Sequence, residues 1–203
     1  MIVTQLEVGS MRNFSYVLGD RAGGVGAIID PAGELPRLLQ ALAAAELTLA
    51  YVINTHAHFD HVVGNAELRA RGAKVVAHAT AKPAPDVSVQ DGATLRLGEL
   101  ELSFVHTPGH SPDSLCVRVL DNLFTGDTLF IGECGRVDLP GSDPRAMHHS
   151  LVTVLCGLPD ELVVWPGHNY GEAPSRTLGL EKRLNYTLTP RTLDEFLAFM
   201  RAP

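Results

Sequence analysis

The periodicity of apolar and polar positions changes along the chain, and each change marks an element. Residues 2–8, 13–19 and 25–30 read as short strands. Asp20-Arg21-Ala22-Gly23-Gly24 is a turn between two of them. Its glycines lead into a strand and not into a helix N-terminus, so the backbone amides of a phosphate-binding loop are missing. Residues 34–47 are rich in Ala and Leu and predict a helix; a strand over 50–54 follows, then a polar loop and a helix over about 61–71. Val75-Val76 is a short strand, and Pro83 and Pro85 make 80–86 an irregular crossing. Residues 93–97, 100–106, 114–119 and 122–125 are strand-rich, with turns at Gly98-Glu99 and Asp121-Asn122. Asp143 before Pro144 is the signature of a helix start. A strand over 162–165 comes next, and Thr192 with Glu195 forms a capping box that opens the last helix. The interleaving of many short strands with helices predicts a mixed α and β chain.

Bulk properties narrow this reading. A length of 203 residues suits one domain over 1–203 with a substantial core. Apolar residues make up 45% and charged residues 19%, which is globular. A net charge of −7 argues against nucleic acid as the partner. No apolar stretch reaches the length of a membrane span, so no membrane partner is expected. The N-terminal residues lack a basic segment and a long apolar run, and they read as a strand and not a signal peptide. Cys116, Cys134 and Cys156 are odd in number and widely spaced, which predicts reduced thiols, and the N-terminus without a signal peptide favours a cytoplasmic location. Cys134 reads as a small buried residue.

The chemistry concentrates in Thr55-His56-Ala57-His58-Phe59-Asp60-His61. Neutral imidazoles and a carboxylate suit zinc, iron or manganese. His56 and His58 sit two apart, so in an extended segment they share a side. Three later segments each look like a strand that ends in a turn bearing a ligand: His110 after Thr107-Pro108-Gly109, Asp127 after Thr125-Gly126, and His168 after Trp165-Pro166-Gly167. Five His and two Asp exceed what a closed structural zinc needs, so the surplus points to an open catalytic site.

These motifs together resemble the metallo-β-lactamase superfamily, from Asn13 to the C-terminal helix. Phe124-Thr125-Gly126-Asp127-Thr128-Leu129-Phe130, Cys134-Gly135-Arg136 and Pro166-Gly167-His168-Asn169-Tyr170 are similar to glyoxalase II (hydroxyacylglutathione hydrolase) and its short bacterial relatives. The resemblance implies an α/β fold, the four-layered αβ/βα sandwich, in which two mixed sheets pack face to face with helices outside. It implies two divalent ions, zinc first and iron or manganese as alternatives. His56, His58 and His110 would hold one ion and Asp60, His61 and His168 the other, with Asp127 bridging. Asp60 and Asp127 would be catalytic, since a water between two cations can fall in pKa from 15.7 to about 7. Asp30, at the end of its strand, would support the metal loop from below. Arg136 and Tyr170 would contact the substrate.

The implied activity is a binuclear hydrolase of a small-molecule thioester such as a hydroxyacylglutathione. A thiolate leaves without a strong acid, and the motifs offer none. The alternative is a persulfide dioxygenase with one iron on His56, His110 and Asp127; a β-lactamase is a further reading. The nucleases of the superfamily carry a large inserted domain for which this chain has no room. Three features depart from glyoxalase II. Asp138 stands where an aromatic is usual, and Asp113 stands where Gly is usual. Only 35 residues follow His168 where glyoxalase II has a glutathione-binding helical domain. Arg176, Lys182 and Arg183 read as a solvated helix face, and His78, His106, His148 and His149 as ordinary surface or packed histidines.

Overall fold

Alternation along each strand sends successive side chains to opposite faces, and here both faces are covered. In β2 (Asn13–Gly19), Tyr16 and Leu18 point to one apolar cluster and Val17 to another. β3 (Val25–Ile29) does the same with Ala27 and Ile29 against Ile28. With β1 (Ile2–Val8), β4 (Thr48–Ile53), β5 (Lys74–His78) and β6 (Val87–Val89) they form a six-stranded sheet in the order β1-β2-β3-β4-β5-β6. A second six-stranded sheet runs β12-β11-β10-β9-β8-β7. Its strands are β7 (Thr94–Leu97), β8 (Leu100–His106), β9 (Leu115–Val119), β10 (Asn122–Gly126), β11 (Val163–Pro166) and β12 (Arg176–Thr177). Both sheets mix parallel and antiparallel pairs. This computed structural model describes residues 1–200, so the last three positions of the domain expected over 1–203 lie outside the described residues.

The inner faces of the sheets meet in a core built on Tyr16, Phe104 and Phe124 with Ile29, Ile53 and Val117. Burying one such side chain contributes roughly 1.5–3 kcal/mol. The outer face of the first sheet is covered by α1 (Leu35–Ala44) and α2 (Asn65–Ala70) through Leu38, Leu42 and Leu68. The outer face of the second is covered by α3 (Pro144–His148), which runs on in π geometry through His149–Leu155, and by α4 (Leu178–Leu184) and α5 (Leu193–Phe199). The layers are therefore helix, sheet, sheet, helix, as the sequence led us to expect. Among the described residues no helix is long and apolar enough to cross a membrane.

Topology places the chemistry at one end. β3, β4 and β5 are parallel, and so are β10 and β11. Their C-terminal ends deliver Asp30, the loop 54–61, Asp127 and His168 to the same edge, the position where ligands collect in sheets with parallel strands. The two sheets are stitched there. Phe14 N donates to Gly167 O at 2.8 Å and Leu115 N to Thr55 O at 2.7 Å. The buried Tyr16 hydroxyl donates to Pro166 O.

Several elements differ from expectation. The helix expected over 61–71 is α2, Asn65–Ala70, because His61 N bonds back to His58 O in a turn and Gly64 N is held by Pro31 O. His61 therefore comes from a turn fixed on both sides. β6 and β12 were not expected; each is short and is defined by its pairing with a neighbour. The crossing over 80–86 is irregular, as its prolines required.

Candidate metal centre

All seven expected donors converge at the stitched edge. His56 Nε2 lies 3.1 Å from His58 Nδ1, which lies 2.8 Å from His110 Nε2. Asp60, His61 and His168 form a second group, with His61 Nε2 3.2 Å from His168 Nε2 and 3.4 Å from Asp60 Oδ2. Asp127 reaches both groups: its Oδ2 is 3.5 Å from His110 Nε2 and 3.3 Å from His168 Nε2, and its Oδ1 is 3.3 Å from His61 Nε2.

Two features of this cluster fit a cation. Three ring nitrogens of His56, His58 and His110 face one another, and a proton can satisfy only one such contact where a cation satisfies all three. Asp127 Oδ1 is buried without a hydrogen bond, although a buried carboxylate oxygen without a partner is costly. The donors are imidazole and carboxylate, which suit zinc or iron.

The outward nitrogens are held in the tautomer that such binding needs. His110 Nδ1 donates to Arg136 O and His168 Nδ1 to Met11 O, each at 2.9 Å. His61 Nδ1 donates to Asp30 Oδ2 at 3.1 Å. His56 Nδ1 donates to Thr55 Oγ1 at 3.2 Å, and that hydroxyl donates to Asp30 Oδ2 at 2.6 Å. Asp30 also accepts from Thr55 N at 2.7 Å. One buried carboxylate, on a residue with φ of 47°, thus orients two imidazoles. Gly167 and Gly109 are there for close approach. A Cβ on Gly167 would collide with Asp127 Oδ1, and one on Gly109 with the backbone of Met147.

Electrostatics agree with a site that expects positive charge. Burial pushes His56 well below the usual imidazole range, with the His61 charge adding to it. Burial works against Asp127 too, but the charges of His61 and His56 and the His168 hydrogen bond hold its carboxyl far below the usual range. Asp60 is lowered in the same manner, with His61 and Asn13 outweighing burial. His61, like His168, is an exception. Burial lowers it, yet Asp127, Asp30 and Asp60 raise it well above the ordinary value.

The cleft above these donors has a volume of about 330 Å³ and apolar walls of Met11, Phe59, Phe130 and Leu139. Arg136 and Tyr170 both line it. Tyr170 stacks on the His168 ring at 4.6 Å. The Arg136 guanidinium forks onto Asp138 with two bonds of 2.8 Å, so it is already paired at the mouth. Three contributors escaped the sequence reading. Met11 supplies the carbonyl for His168. Thr55 relays Asp30 to His56. Asn13 donates to Asp60 Oδ2 at 2.8 Å. A polar Asn in an otherwise apolar strand was the available signal for Asn13, since Asn is depleted in strands.

Other expectations are corrected or confirmed. Arg176 and Lys182 are not a solvated face: their side chains are 15% and 19% exposed. Arg176 pairs with the fully buried Glu181 at 3.2 Å, and Lys182 with Asp160 at 2.6 Å. His78 and His106 stack on each other at 4.2 Å outside the donor cluster, and His148 packs on Phe196. The three cysteines are unpaired thiols, and burial pushes Cys116 and Cys134 up to about 12.

Comparison with known proteins agrees with the geometry. Residues 10–168 match the Metallo-beta-lactamase superfamily. The human mitochondrial persulfide dioxygenase ETHE1 is 33% identical over 92% of this chain and 75% of its own length. A hydroxyacylglutathione hydrolase of Gloeobacter violaceus is 37% identical over 88% of this chain and 69% of its own. The crystal structure of ETHE1 from Myxococcus xanthus superposes with a TM-score of 0.94 at 35% identity, covering 100% of this chain and 92% of that one. The chain belongs to the metallo-β-lactamase superfamily.

Proposed function

We propose that this member of the superfamily acts on sulfur-linked small molecules, as a persulfide dioxygenase. The reading is carried by the shape match to the Myxococcus xanthus ETHE1 across the whole chain, including the C-terminal segment beside the cleft. A local feature supports it. Oxygenases of this kind usually have Cys-Gly-Arg-Thr-Asp-Phe; Cys134, Gly135, Arg136 and Asp138 coincide with that run, and Val137 and Leu139 depart from it. Asp138 departs from the glyoxalase II pattern but agrees with this one, and it fixes Arg136 through the paired bonds at the cleft mouth.

A redox-active iron held by His56, His110 and Asp127 would supply the activation of dioxygen. The chain's own residues do the rest. Asp127 stays ionised at neutral pH because neighbouring imidazoles hold its carboxyl low. His110 is kept in one orientation by Arg136 O. Met11, Phe59 and Phe130 line the cleft with apolar surface for the carbon chain of the substrate. Arg136 meets a substrate carboxylate by exchanging it for Asp138. In the balanced reaction both atoms of dioxygen go to the outer sulfur. The S–S bond breaks as water adds, and a thiol, sulfite and two protons leave.

A second reading is thioester hydrolysis on two zinc ions. It is favoured by the complete second donor group, Asp60, His61 and His168, and by the likeness to the Gloeobacter violaceus hydrolase. Metal analysis of the purified protein, with oxygen uptake on glutathione persulfide, separates the two. We expect about one iron per chain and oxygen consumption in step with persulfide loss. Two zinc ions, no oxygen uptake and rapid cleavage of a hydroxyacylglutathione would replace the first reading with the second.

A further inference from the structure

Beside the metal cleft lies a second cavity of about 460 Å³, which shares Phe130, Arg136 and Tyr170 with it. Its remaining walls include Glu133, Tyr186, Phe199 and Met200. The rings form two edge-to-face pairs. Phe130 and Tyr170 are 5.5 Å apart, and Tyr186 and Phe199 are 5.4 Å apart. Glu133 brings a carboxylate to this aromatic lining. Its Oε1 accepts from Cys134 N at 3.0 Å and its Oε2 from the Tyr186 hydroxyl. Each carboxylate oxygen retains a lone pair for a further donor.

Aromatic faces joined to a carboxylate make a site for an organic cation, since ring quadrupoles and the anion attract the same charge. The structure already uses one such ring in this way: the Arg191 guanidinium lies over Phe199, 4.4 Å from its centroid. Further charges of both signs lie near the cavity, Arg191 over Phe199 and Arg136 being the positive ones. Arg136 would oppose a cation, but its charge is met by Asp138. Asp60 and Asp127, in the adjoining cleft, face the metal they would hold, which leaves Glu133 as the counter-charge.

We propose that this side cavity receives the ammonium end of the thiol moiety of the substrate, with Glu133 as its counter-charge and Tyr170 and Tyr186 as its walls. The link to catalysis rests on the reading that the sulfur reacts at the metal centre. The substrate class is then an aminothiol persulfide.

The test uses two probes of matched size, 2-(methylthio)ethylamine and 2-(methylthio)ethanol. Titration calorimetry on the metal-loaded protein is expected to give at least about tenfold tighter binding of the amine. Glu133→Gln, which keeps the side-chain shape, is expected to bring the two dissociation constants within about threefold. Equal affinities in the unmodified protein overturn the proposal, and that comparison needs no variant. An amine preference that survives Glu133→Gln in a folded variant overturns the role of Glu133. The persulfides of cysteamine and 2-mercaptoethanol extend the test to turnover, with the lower KM expected for the amine. If glutathione persulfide as well as both small persulfides consumes no oxygen, the dioxygenase reading fails, while the calorimetric preference stands or falls by itself.

Discussion

Glu181 is the perturbation whose cost follows most directly from the structure. Its side chain is fully buried in α4. It accepts from Gly132 N at 2.8 Å, from Asn185 Nδ2 at 2.9 Å and from Arg176 Nη1 at 3.2 Å. Asn185 in turn donates to Phe130 O and Glu133 O. These bonds clamp the loop that runs from Phe130 to Arg136, whose last carbonyl holds His110. Glu181→Ala strands the Gly132 amide, frees Asn185 and leaves Arg176 unpaired. Removing one partner of a buried pair costs about 3–5 kcal/mol. In a chain of this size each kcal/mol lowers Tm by about 2–4 °C, so a drop of roughly 6–20 °C is expected. Glu181→Gln, which keeps shape and an acceptor, should lose roughly half as much. Urea unfolding followed by circular dichroism, with Arg176→Met in a double-mutant cycle, measures both the loss and the pair's coupling. A change below about 1 kcal/mol for Glu181→Ala would show that the clamp does not hold the loop.

Four further outcomes are expected. Asp30→Asn tolerates the left-handed backbone but cannot accept from Thr55 N on one side and from Thr55 Oγ1 and His61 Nδ1 on the other. Metal affinity, read by chelator competition, should fall about 10–100-fold; unchanged affinity would mean that Asp30 does not orient these imidazoles. Asp127→Ala should lower metal content and abolish turnover, and full occupancy by elemental analysis would remove its place in the centre. Arg136→Ala should raise KM for a carboxylate-bearing persulfide more than it lowers kcat; a steady-state KM equal to that of the parent would dismiss the contact. In metal-free protein, the raised His61 contributes stability that is complete below its unfolded pKa of about 6.5 and is lost as pH rises through its higher folded value. The depressed Asp127 acts oppositely, its contribution present above about 3.9 and lost as pH falls through the folded value. Melting of chelated protein should therefore weaken on the alkaline side of neutrality, and a flat or rising Tm there would contradict the His61 environment.

His110, Asp127 and His168 were legible in the sequence because each follows a strand and a Gly, and His56, His58, Asp60 and His61 because they crowd into six positions just after a strand. The strands themselves were legible through alternation, as in Tyr16-Val17-Leu18. Asn13 and Met11 were harder, since their roles depend on a strand far away in the chain reaching the same edge. The ion pair of Arg176 with Glu181 left no periodic trace: a basic residue five positions before an acidic one looks the same on a solvated surface. β6 and β12 are too short to announce themselves and exist through their partners. The turn at His61–Gly64 ran against a helical pattern because Pro31 O, a tertiary contact, captures Gly64 N.

The stitching of the two sheets has a consequence for how the protein fails. Each half of the molecule carries part of the donor set: His56, His58, Asp60 and His61 on one, His110, Asp127 and His168 on the other. An ion gripped by both acts as a rivet through a hinge line. Its loss should let the halves part first at that rim, so that demetallation and breathing of the seam are one event. Wear at the rivet, and not melting of either panel, would then set the working lifetime of the enzyme.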